Sequence, residues 1–366
     1  MIWGYATTSI RSALFMRAID SLPAVKKTGQ LPSYDGNMVI SSIAGLGDLI
    51  IQLPLIAGMV NKARSLGVEP TVALRPAHLN LGEVCGWRVM EFENPLIDFF
   101  GHGLSLPVLQ KSAGALRDLR KRQVDTWIDL TGNAFNAVAI RLGGVRSLIS
   151  ATSRGGKSLV NGEIPNQPYE NEYAFRHRLA NHFGCELDFS IYKKMAEITH
   201  SDEIVLAITT YNRWKSWPLS YFAEVARAFP HRQFILAGAS REIPAHELAD
   251  WEMLKQMPNT RNLVDALDLL QFARCIAGSG FFVGNDSGGA HLANAFQKPG
   301  AVIFGPTISE TWHGDSKLRL FHDRSCPHHP CKVWKCDQPH DWCMAKIGHV
   351  DIIRYLKNLL DVNPKP

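Results

Sequence analysis

The chain has 366 residues, of which 46% are hydrophobic and 20% are charged. This length exceeds the roughly 250–300 residues at which one core stops growing, so two domains are expected, and the composition excludes a disordered, repetitive or fibrous protein. Lysine and arginine exceed aspartate and glutamate by 39 − 34 = 5, an excess that suits an anionic ligand or a membrane surface and does not require nucleic acid.

The first 37 residues precede the first predicted strand and form an N-terminal extension. Within it, apolar residues from Ile10 to Leu22 recur near helical spacing, and we favour packing on a neighbouring domain over membrane contact. No stretch approaches the ~18 consecutive apolar residues of a membrane span, and the N-terminus lacks the pattern of a secretory signal. We therefore expect a cytoplasmic protein, with peripheral attachment to the membrane as the alternative.

From Met38 onward, short β-branched runs alternate with amphipathic segments, which is typical of strands and helices around a parallel sheet. In the first block, strands are predicted at Met38–Ile43, Thr71–Leu74 and Thr126–Leu130. Helices are predicted at Asp48–Ser65 and Ala134–Leu142. This block predicts one doubly wound domain.

After Thr152 a stretch rich in Gly, Asn and Pro predicts a surface loop, followed by a helix over Tyr173–Phe183. A second strand-and-helix block comes next. Its predicted strands are Glu203–Thr210, Gln233–Ala239, Phe281–Asn285 and Gly300–Gly305. Two Rossmann-like halves place ligands at the carboxyl ends of the strands, in a central cleft where the two sheets face each other.

A glycine-containing loop follows the first predicted strand. Gly45 and Gly47 permit a tight turn, and the exposed amides at the start of the next helix favour an anion. Ile50 stands where a dinucleotide fingerprint needs its third glycine, so that motif is excluded. From spacing alone, Asp48 is either an N-cap or first-turn carboxylate, which needs no function, or a general base held at the cleft.

Two further motifs follow predicted strands in the second block. The turn Gly284–His291 joins small residues to a helix start, a pattern suited to a pyrophosphate, although Asp286 could cap the helix and His291 could be a buried structural histidine. Lys215 follows another strand and could neutralise a leaving phosphate, or be an ordinary solvated lysine.

Taken together, these segments resemble the heptosyltransferase family, glycosyltransferase family 9. The resemblance covers roughly residues 38 to 360, and the Asp-Ser-Gly-Gly-Ala-His block with the following Phe-Gly-Pro-Thr turn is its most specific part. The motifs are LGDLIIQLPLI at Leu46–Ile56, WIDLTGN at Trp127–Asn133, KSWP at Lys215–Pro218, GASRE at Gly238–Glu242, NLVD at Asn262–Asp265 and GNDSGGAHLANAFQKPGAVIFGPT at Gly284–Thr307.

The resemblance implies a GT-B fold that inverts the anomeric carbon without a catalytic metal or another cofactor. Its domains would be an acceptor-binding domain at residues 38–185, a nucleotide-sugar-binding domain at 186–348 and a C-terminal helix and tail at 349–366. Asp48 matches the family's proposed general base, in the acceptor loop with Gly45 and Gly47. The positions that match donor-binding residues are Lys215, Glu242, Asp286, Ser287, Gly288, Gly289 and His291.

Four of the seven cysteines are crowded near the C-terminus. Cys326, Cys331, Cys336 and Cys343 follow the spacing C-x4-C-x4-C-x6-C, with histidines interleaved. This set is close to tetrahedral metal sites but lacks the usual C-x2-C pair. A structural metal and free thiols therefore remain as alternatives, and neither makes the loop catalytic.

The resemblance implies transfer of a heptose from ADP-heptose onto a lipopolysaccharide core or related glycan, with no nucleic acid partner and with peripheral contact to the inner membrane as an option. One alternative is a family member that uses another nucleotide sugar or a protein acceptor. An alternative of another class is a non-catalytic nucleotide-sugar-binding subunit. An epimerase or a phosphorylase would need groups that the matched motifs do not supply.

Overall fold

In the part of the chain that the structure describes, twelve strands form two separate six-stranded sheets, and every strand pair is parallel. The computed structural model describes residues 19–21, 23–27, 34–94, 106–151, 155–164, 170–196, 201–313, 316–331, 336 and 342–362. The chain divides into unit 1, Met1–Ile191, and unit 2, Tyr192–Pro366, each with one of the sheets. The predicted functional roles of the two halves stay predictions.

Unit 1 contains a sheet with the strand order β3-β2-β1-β4-β5-β6. Its central strands are short and buried on both faces, as parallel strands covered by helices are. The strands are β1 Met38–Ser42, β2 Thr71–Leu74, β3 Arg88–Glu91, β4 Thr126–Asp129, β5 Ser147–Ser150 and β6 Gly162–Glu163. The helices are α1 Leu46–Ser65, α2 Leu79–Val84, α3 Leu106–Lys121, α4 Ala134–Leu142, α5 Glu172–Phe183 and α6 Ile191–Met195, whose last residues lie in unit 2.

Helix α1 is the main core helix of unit 1. It is long and apolar enough to cross a membrane, but 72% of its apolar window is buried inside the protein, which is typical of a core helix. Asp48 in its first turn and Lys62 and Arg64 in its last turn match the helix dipole. It packs against α5, and its Gly58 lies so close to the backbone of Glu186 that a side chain there would clash. Gly58 is therefore a packing glycine.

Unit 2 repeats the doubly wound plan with the strand order β12-β11-β10-β7-β8-β9. The strands are β7 Ile204–Ala207, β8 Phe234–Ala237, β9 Thr260–Asn262, β10 Phe281–Asn285, β11 Gly300–Phe304 and β12 Leu318–His322. The helices are α7 Leu219–Ala228, α8 Leu248–Lys255, α9 Leu269–Gly278, α10 Gly288–Ala295, α11 Ser309–Trp312, α12 Trp342–Lys346 and α13 His349–Val362. Helix α13 packs on α7 and β11, so the predicted C-terminal helix contributes to the core of this unit.

The predicted elements of both blocks are confirmed with shifts of a few residues at their ends. The sequence did not indicate β3, β5, β6, β9 or β12. The stretch after Thr152 was predicted to be a loop, but its described part contains β6 and a single 3-10 turn at Lys157–Leu159. Most of the amphipathic segment predicted before Leu22 lies outside the described residues, although Asp20 accepts hydrogen bonds from the backbone of Gly156 and Lys157.

Candidate functional site

The loop after β7 positions Lys215 at the carboxyl edge of the unit 2 sheet. Asn285, the last residue of β10, fixes this loop because its side-chain oxygen accepts a hydrogen bond from Trp217 N at 2.9 Å. The Asn285 amide nitrogen also donates to Ile208 O at 3.2 Å. Trp217 is fully buried and its indole donates to Ile347 O at 2.7 Å. The backbone that follows Lys215 is thus anchored on both sides.

Lys215, Asp286 and Thr307 meet at this edge. The Lys215 ammonium lies 2.6 Å from Asp286 Oδ2, and the Thr307 hydroxyl donates to the same oxygen at 2.5 Å. Asp286 directly follows β10, and Thr307 lies in the turn after β11. Adjacent parallel strands end side by side. Lys215 and Thr307 therefore meet Asp286 here, although they lie 71 and 21 positions from it in the sequence.

The Asp286 carboxylate is ionised although it is buried. Burial by itself would raise its pKa, but the positive charge of Lys215, the neighbouring His291 and the hydrogen bonds from Lys215 and Thr307 outweigh this effect. The pKa of Asp286 is therefore below its ordinary value. Asp286 and Lys215 form a buried ion pair whose side chains are 2% and 15% exposed.

Two histidine rings lie close to the Asp286 carboxylate. His291, from α10, and His313, which follows α11, stack with their centroids 5.1 Å apart and an interplanar angle of 19°. Burial lowers the pKa of His291 to about 3 and that of His313 to about 4, with the charge of Lys215 acting in the same direction. Both rings are neutral at pH 7. Among the described residues, His291 Nδ1 has no hydrogen-bond partner.

Three of these side chains lie close enough together to offer ligand atoms to a metal ion. Asp286, His291 and His313 each offer a ligand atom, and these atoms lie within 4.8 Å of one another. However, the Lys215 ammonium already supplies the counter-charge of the Asp286 carboxylate. A divalent cation would have to share that carboxylate with a second cation in a buried place. The ion pair therefore disfavours a divalent cation at this place.

The glycine turn between β10 and α10 presents the start of a helix at the same edge. Ser287 is the N-cap residue, and its side chain does not cap the helix, which leaves its hydroxyl available to a ligand. Gly288 begins α10. A Cβ at Gly289 would lie 3.0 Å from the ring of Phe272, so a larger residue would push α10 away from α9. The positive end of the helix dipole favours an anion here.

Glu242 belongs to a second cluster on the same sheet edge, after β8. Burial raises the pKa of Glu242, and a hydrogen bond from Thr209 opposes this rise. The Thr209 oxygen also accepts a hydrogen bond from Ala239 N at 2.9 Å, and Gly238 passes so close that any Cβ would lie 2.3 Å from that oxygen. The structure thus places the predicted donor residues in two neighbouring clusters.

In unit 1, Asp48 lies in the first turn of α1. The N-cap of this helix is Gly45 and Asp48 is its third residue, so Asp48 is a first-turn carboxylate, and its role as a general base stays a prediction. It is partly exposed. A Cβ at Gly45 would lie 3.5 Å from Asp48 Oδ2, so a side chain there would lie against the carboxylate. Gly47 is also partly exposed in this turn.

The cysteine loop adjoins the turn that carries Thr307. Cys326 is buried, and Cys331, Cys336 and Cys343 are partly buried. Burial raises the pKa of Cys343 to about 11, and the other three thiols raise it further because they are close to it. Gly305, just before the Pro306–Thr307 turn, packs against Cys343. Residues 332–335 and 337–341 lie outside the described part of this loop.

Sequence reasoning missed three residues of the site: Thr209, Thr307 and His313. Thr307 had a signal, because it ends the Phe-Gly-Pro-Thr turn directly after a predicted strand. Thr209 lay at the end of another predicted strand. His313 had no local signal, since only the path of α11 brings its ring onto His291.

Comparisons with known proteins agree with this architecture. Residues 164–340 match the family model of glycosyltransferase family 9 (heptosyltransferase). The match includes the Lys215, Glu242 and Asp286 positions and leaves out residues 38–163, so the assignment of Asp48 depends on its motif. The chain therefore carries a glycosyltransferase family 9 domain, and the resemblance inferred from the motifs is confirmed.

Two curated relatives come from Campylobacter jejuni subsp. jejuni. The lipooligosaccharide heptosyltransferase 2 of serotype O:2 is 31% identical over 153 residues, and that of serotype O:6 is 29% identical over 152 residues. Each match covers 40% of this chain and 47% of the relative. The chain thus spans about half the length of the curated relatives it matches.

Solved structures show the same fold. E. coli heptosyltransferase WaaC with ADP-2-deoxy-2-fluoro heptose aligns with a TM-score of 0.67 at 16% identity, covering 88% of this chain and 100% of that chain. E. coli ADP-heptose lps heptosyltransferase II aligns with a TM-score of 0.63 at 16% identity, covering 90% and 99%. At this identity the likeness concerns the fold alone, and it confirms the predicted GT-B fold.

Proposed function

We propose that this chain, whose residues 164–340 form a glycosyltransferase family 9 domain, transfers a sugar from a nucleotide diphosphate donor to an acceptor hydroxyl. The observation that carries the proposal is the buried Lys215–Asp286–Thr307 cluster, next to the amino end of α10 and inside the matched domain. A cation, a hydroxyl and a helix amino end on one sheet edge suit a diphosphate.

The donor that fits this description is ADP-heptose. The diphosphate would lie against Lys215 and the amino end of α10, with Ser287 as a hydroxyl donor. The half-buried Glu242 carboxylate, in the neighbouring cluster, would accept hydrogen bonds from the ribose hydroxyls. The WaaC structure that shares the fold contains an ADP-heptose analogue, which supports this choice of donor. The two Campylobacter relatives support a lipopolysaccharide-core or related glycan as the acceptor.

The proposed reaction is a single displacement that inverts the anomeric carbon. Asp48 takes the proton of the acceptor hydroxyl as its oxygen forms the new bond to the anomeric carbon. The bond from that carbon to the diphosphate oxygen breaks, and the electron pair leaves with ADP. Lys215 and the helix dipole stabilise the negative charge that develops on the leaving diphosphate, and we assign to them the role that a metal ion has in other transferases.

For the cysteine loop, we propose a structural metal ion bound by Cys326, Cys331, Cys336 and Cys343. The closeness of the other three thiols to Cys343 supports this proposal, since four thiolates around one zinc or iron ion are a common structural site. Metal analysis of protein purified without added metal tests it. One bound ion per chain, lost in the Cys343→Ser variant, supports the proposal, and thiols that all react with a thiol reagent in the native protein contradict it.

A glycolipid acceptor would also place the protein at the cytoplasmic face of the inner membrane as a peripheral protein. Sedimentation with vesicles that contain anionic lipid tests this placement. Salt-sensitive binding supports it, and the absence of binding at low salt contradicts it.

The experiment that tests the donor assignment is thermal stabilisation by a panel of nucleotides and nucleotide sugars. A ligand that binds only the folded state raises the melting temperature by mass action. Stabilisation by ADP and ADP-heptose supports the proposal. A selective response to a UDP or GDP sugar would keep the glycosyltransferase and discard the heptose. No response to any nucleotide would contradict the proposed function.

A further inference from the structure

Asp129, the last residue of β4, is a fully buried carboxylate that connects three strands. It accepts hydrogen bonds from the backbone amides of Thr131 at 3.1 Å and Gly132 at 3.2 Å. The Ser41 hydroxyl, from β1, donates to it at 3.0 Å. The Ser150 hydroxyl, from β5, lies 3.2 Å from its second oxygen. The carboxyl ends of β1, β4 and β5 are therefore held around one buried carboxyl group, whose pKa is raised by burial while its hydrogen bonds oppose the rise.

Thr131 extends this network to the loop that follows β1. Its backbone amide donates to Asp129 Oδ1 at 3.1 Å. Its side-chain oxygen accepts a hydrogen bond from Ile43 N at 2.9 Å. Thr131 therefore links the backbone of Ile43 to Asp129.

Ile43 is the residue at which the chain leaves β1 for the loop before α1. Gly45, two residues later, is the N-cap of α1, and its lack of a side chain means that no side-chain cap holds the start of this helix. Asp48 follows in the first turn. The Ile43–Thr131 hydrogen bond is therefore a cross-link from the loop to β4 immediately before the turn that carries Asp48.

We infer that Thr131 is a positioning residue, which fixes the Asp48 turn by anchoring Ile43 to the Asp129 carboxylate. This inference rests on the proposed function, in which Asp48 takes the acceptor proton. A base must be held at hydrogen-bond distance from the reacting hydroxyl, and a displacement of about 1 Å can lower the rate about 100-fold. Thr131 touches no substrate and acts through the backbone.

Two variants of Thr131 separate the hydroxyl from the rest of the side chain. Thr131→Val keeps the shape and removes the hydroxyl, whereas Thr131→Ser keeps the hydroxyl and removes a methyl group. The Asp129 carboxylate keeps its hydrogen bonds in both. Thr126→Val is the matched control, because it makes the same change in another buried threonine, at the amino end of β4, the strand that precedes Thr131.

The first measurement is hydrogen exchange of the backbone amides over residues 42–48 in the full-length protein. Thr131→Val should exchange faster there than wild type, while Thr131→Ser and Thr126→Val should match wild type. This measurement does not depend on the identity of the substrates. Unchanged exchange over residues 42–48 in Thr131→Val overturns the inference.

The second measurement is turnover with ADP-heptose and lipopolysaccharide truncated at its inner core. Thr131→Val should lower kcat about 10- to 100-fold with an unchanged KM for the donor, and Thr131→Ser should recover the wild-type kcat. Faster exchange with wild-type kcat overturns the inference, and so does a Thr131→Ser variant as slow as Thr131→Val. If wild type itself does not turn over, the proposed function fails, and the exchange measurement alone decides whether Thr131 anchors the turn.

Discussion

Replacing Lys215 by methionine should destabilise unit 2 because it leaves the Asp286 carboxylate buried without its counter-charge. In the wild type the two groups are 2.6 Å apart, and the Asp286 side chain is only 2% exposed. Removing one partner of a buried ion pair costs about 3–5 kcal/mol. Lys215 retains 15% exposure and Thr307 still donates to Asp286 in the variant, so we expect about 3 kcal/mol, the lower end of this range.

This cost can be measured as a shift in the melting temperature of unit 2. Unit 2 spans 366 − 192 + 1 = 175 residues, and 1 kcal/mol shifts a domain of this size by about 2–4 °C. Lys215→Met should therefore melt about 6–12 °C lower in calorimetry. Lys255→Met is the matched control, since the Lys255–Glu252 pair is 2.7 Å apart but 32% and 55% exposed. Loss of this surface pair should cost less than about 1 kcal/mol.

A double variant distinguishes the charge from the shape of the pair. Lys215→Met with Asp286→Asn removes both charges, so most of the lost stability should return, whereas stabilisation by ADP should be lost in the single and the double variant alike.

The charge of Lys215 helps to keep the pKa of Asp286 low. The stability from the pair is therefore present above the unfolded pKa of about 3.9 and lost as the pH falls below it. A single variant that melts within about 2 °C of wild type, or that still binds ADP normally, would refute this reasoning.

Three further predictions concern Asp48, the two stacked histidines and the buried Gln52. Asp48→Asn should lower kcat about 100- to 10,000-fold and leave the ADP-induced rise in melting temperature unchanged; turnover near wild type would exclude Asp48 as the base. Burial lowers the pKa of His291 to about 3 and of His313 to about 4, so below about pH 6.5 the native state binds fewer protons than the unfolded state. The free energy of unfolding should therefore fall as the pH falls from about 6.5 to 4, and it should fall less steeply in His313→Asn. Equal slopes in the variant and the wild type would contradict this. Gln52 in α1 is fully buried, and among the described residues neither of its amide atoms has a hydrogen-bond partner. Gln52→Leu should therefore raise the free energy of unfolding, measured in urea, by about 1 kcal/mol. A loss of stability would show that the amide has a partner such as a buried water.

The sequence predicted the central strands because each is a short apolar run flanked by turn residues. It did not indicate the outer strands β3, β9 and β12, because they are partly exposed and mix charged with apolar residues. The sequence of β9, Thr-Arg-Asn, shows no strand pattern. These strands form by pairing with a neighbouring strand that is already in place, and the local sequence pattern does not indicate such pairing.

The positions of site residues could be predicted from the sequence where those residues directly follow the end of a strand. Lys215 and Asp286 each come directly after a predicted strand or its loop, so their meeting at one sheet edge follows from the topology. The contact of Thr307 with Asp286 also follows from strand ends, because Thr307 lies in the turn directly after β11. The stacking of His313 on His291 depends instead on the path of α11. The close packing at Gly289 was not predictable from the sequence, since a Cβ there would lie 3.0 Å from the Phe272 ring only because α9 and α10 pack together.

The most direct test of the proposed function is mass spectrometry of the acceptor after incubation with the purified protein and ADP-heptose. The acceptor is lipopolysaccharide truncated at its inner core, and Asp48→Asn and Lys215→Met serve as the comparison. We predict that wild type adds one heptose to the acceptor and releases one equivalent of ADP, and that both variants fail to do so within the same time. An acceptor of unchanged mass, with ADP-heptose intact, would contradict the assignment of this chain as a heptosyltransferase.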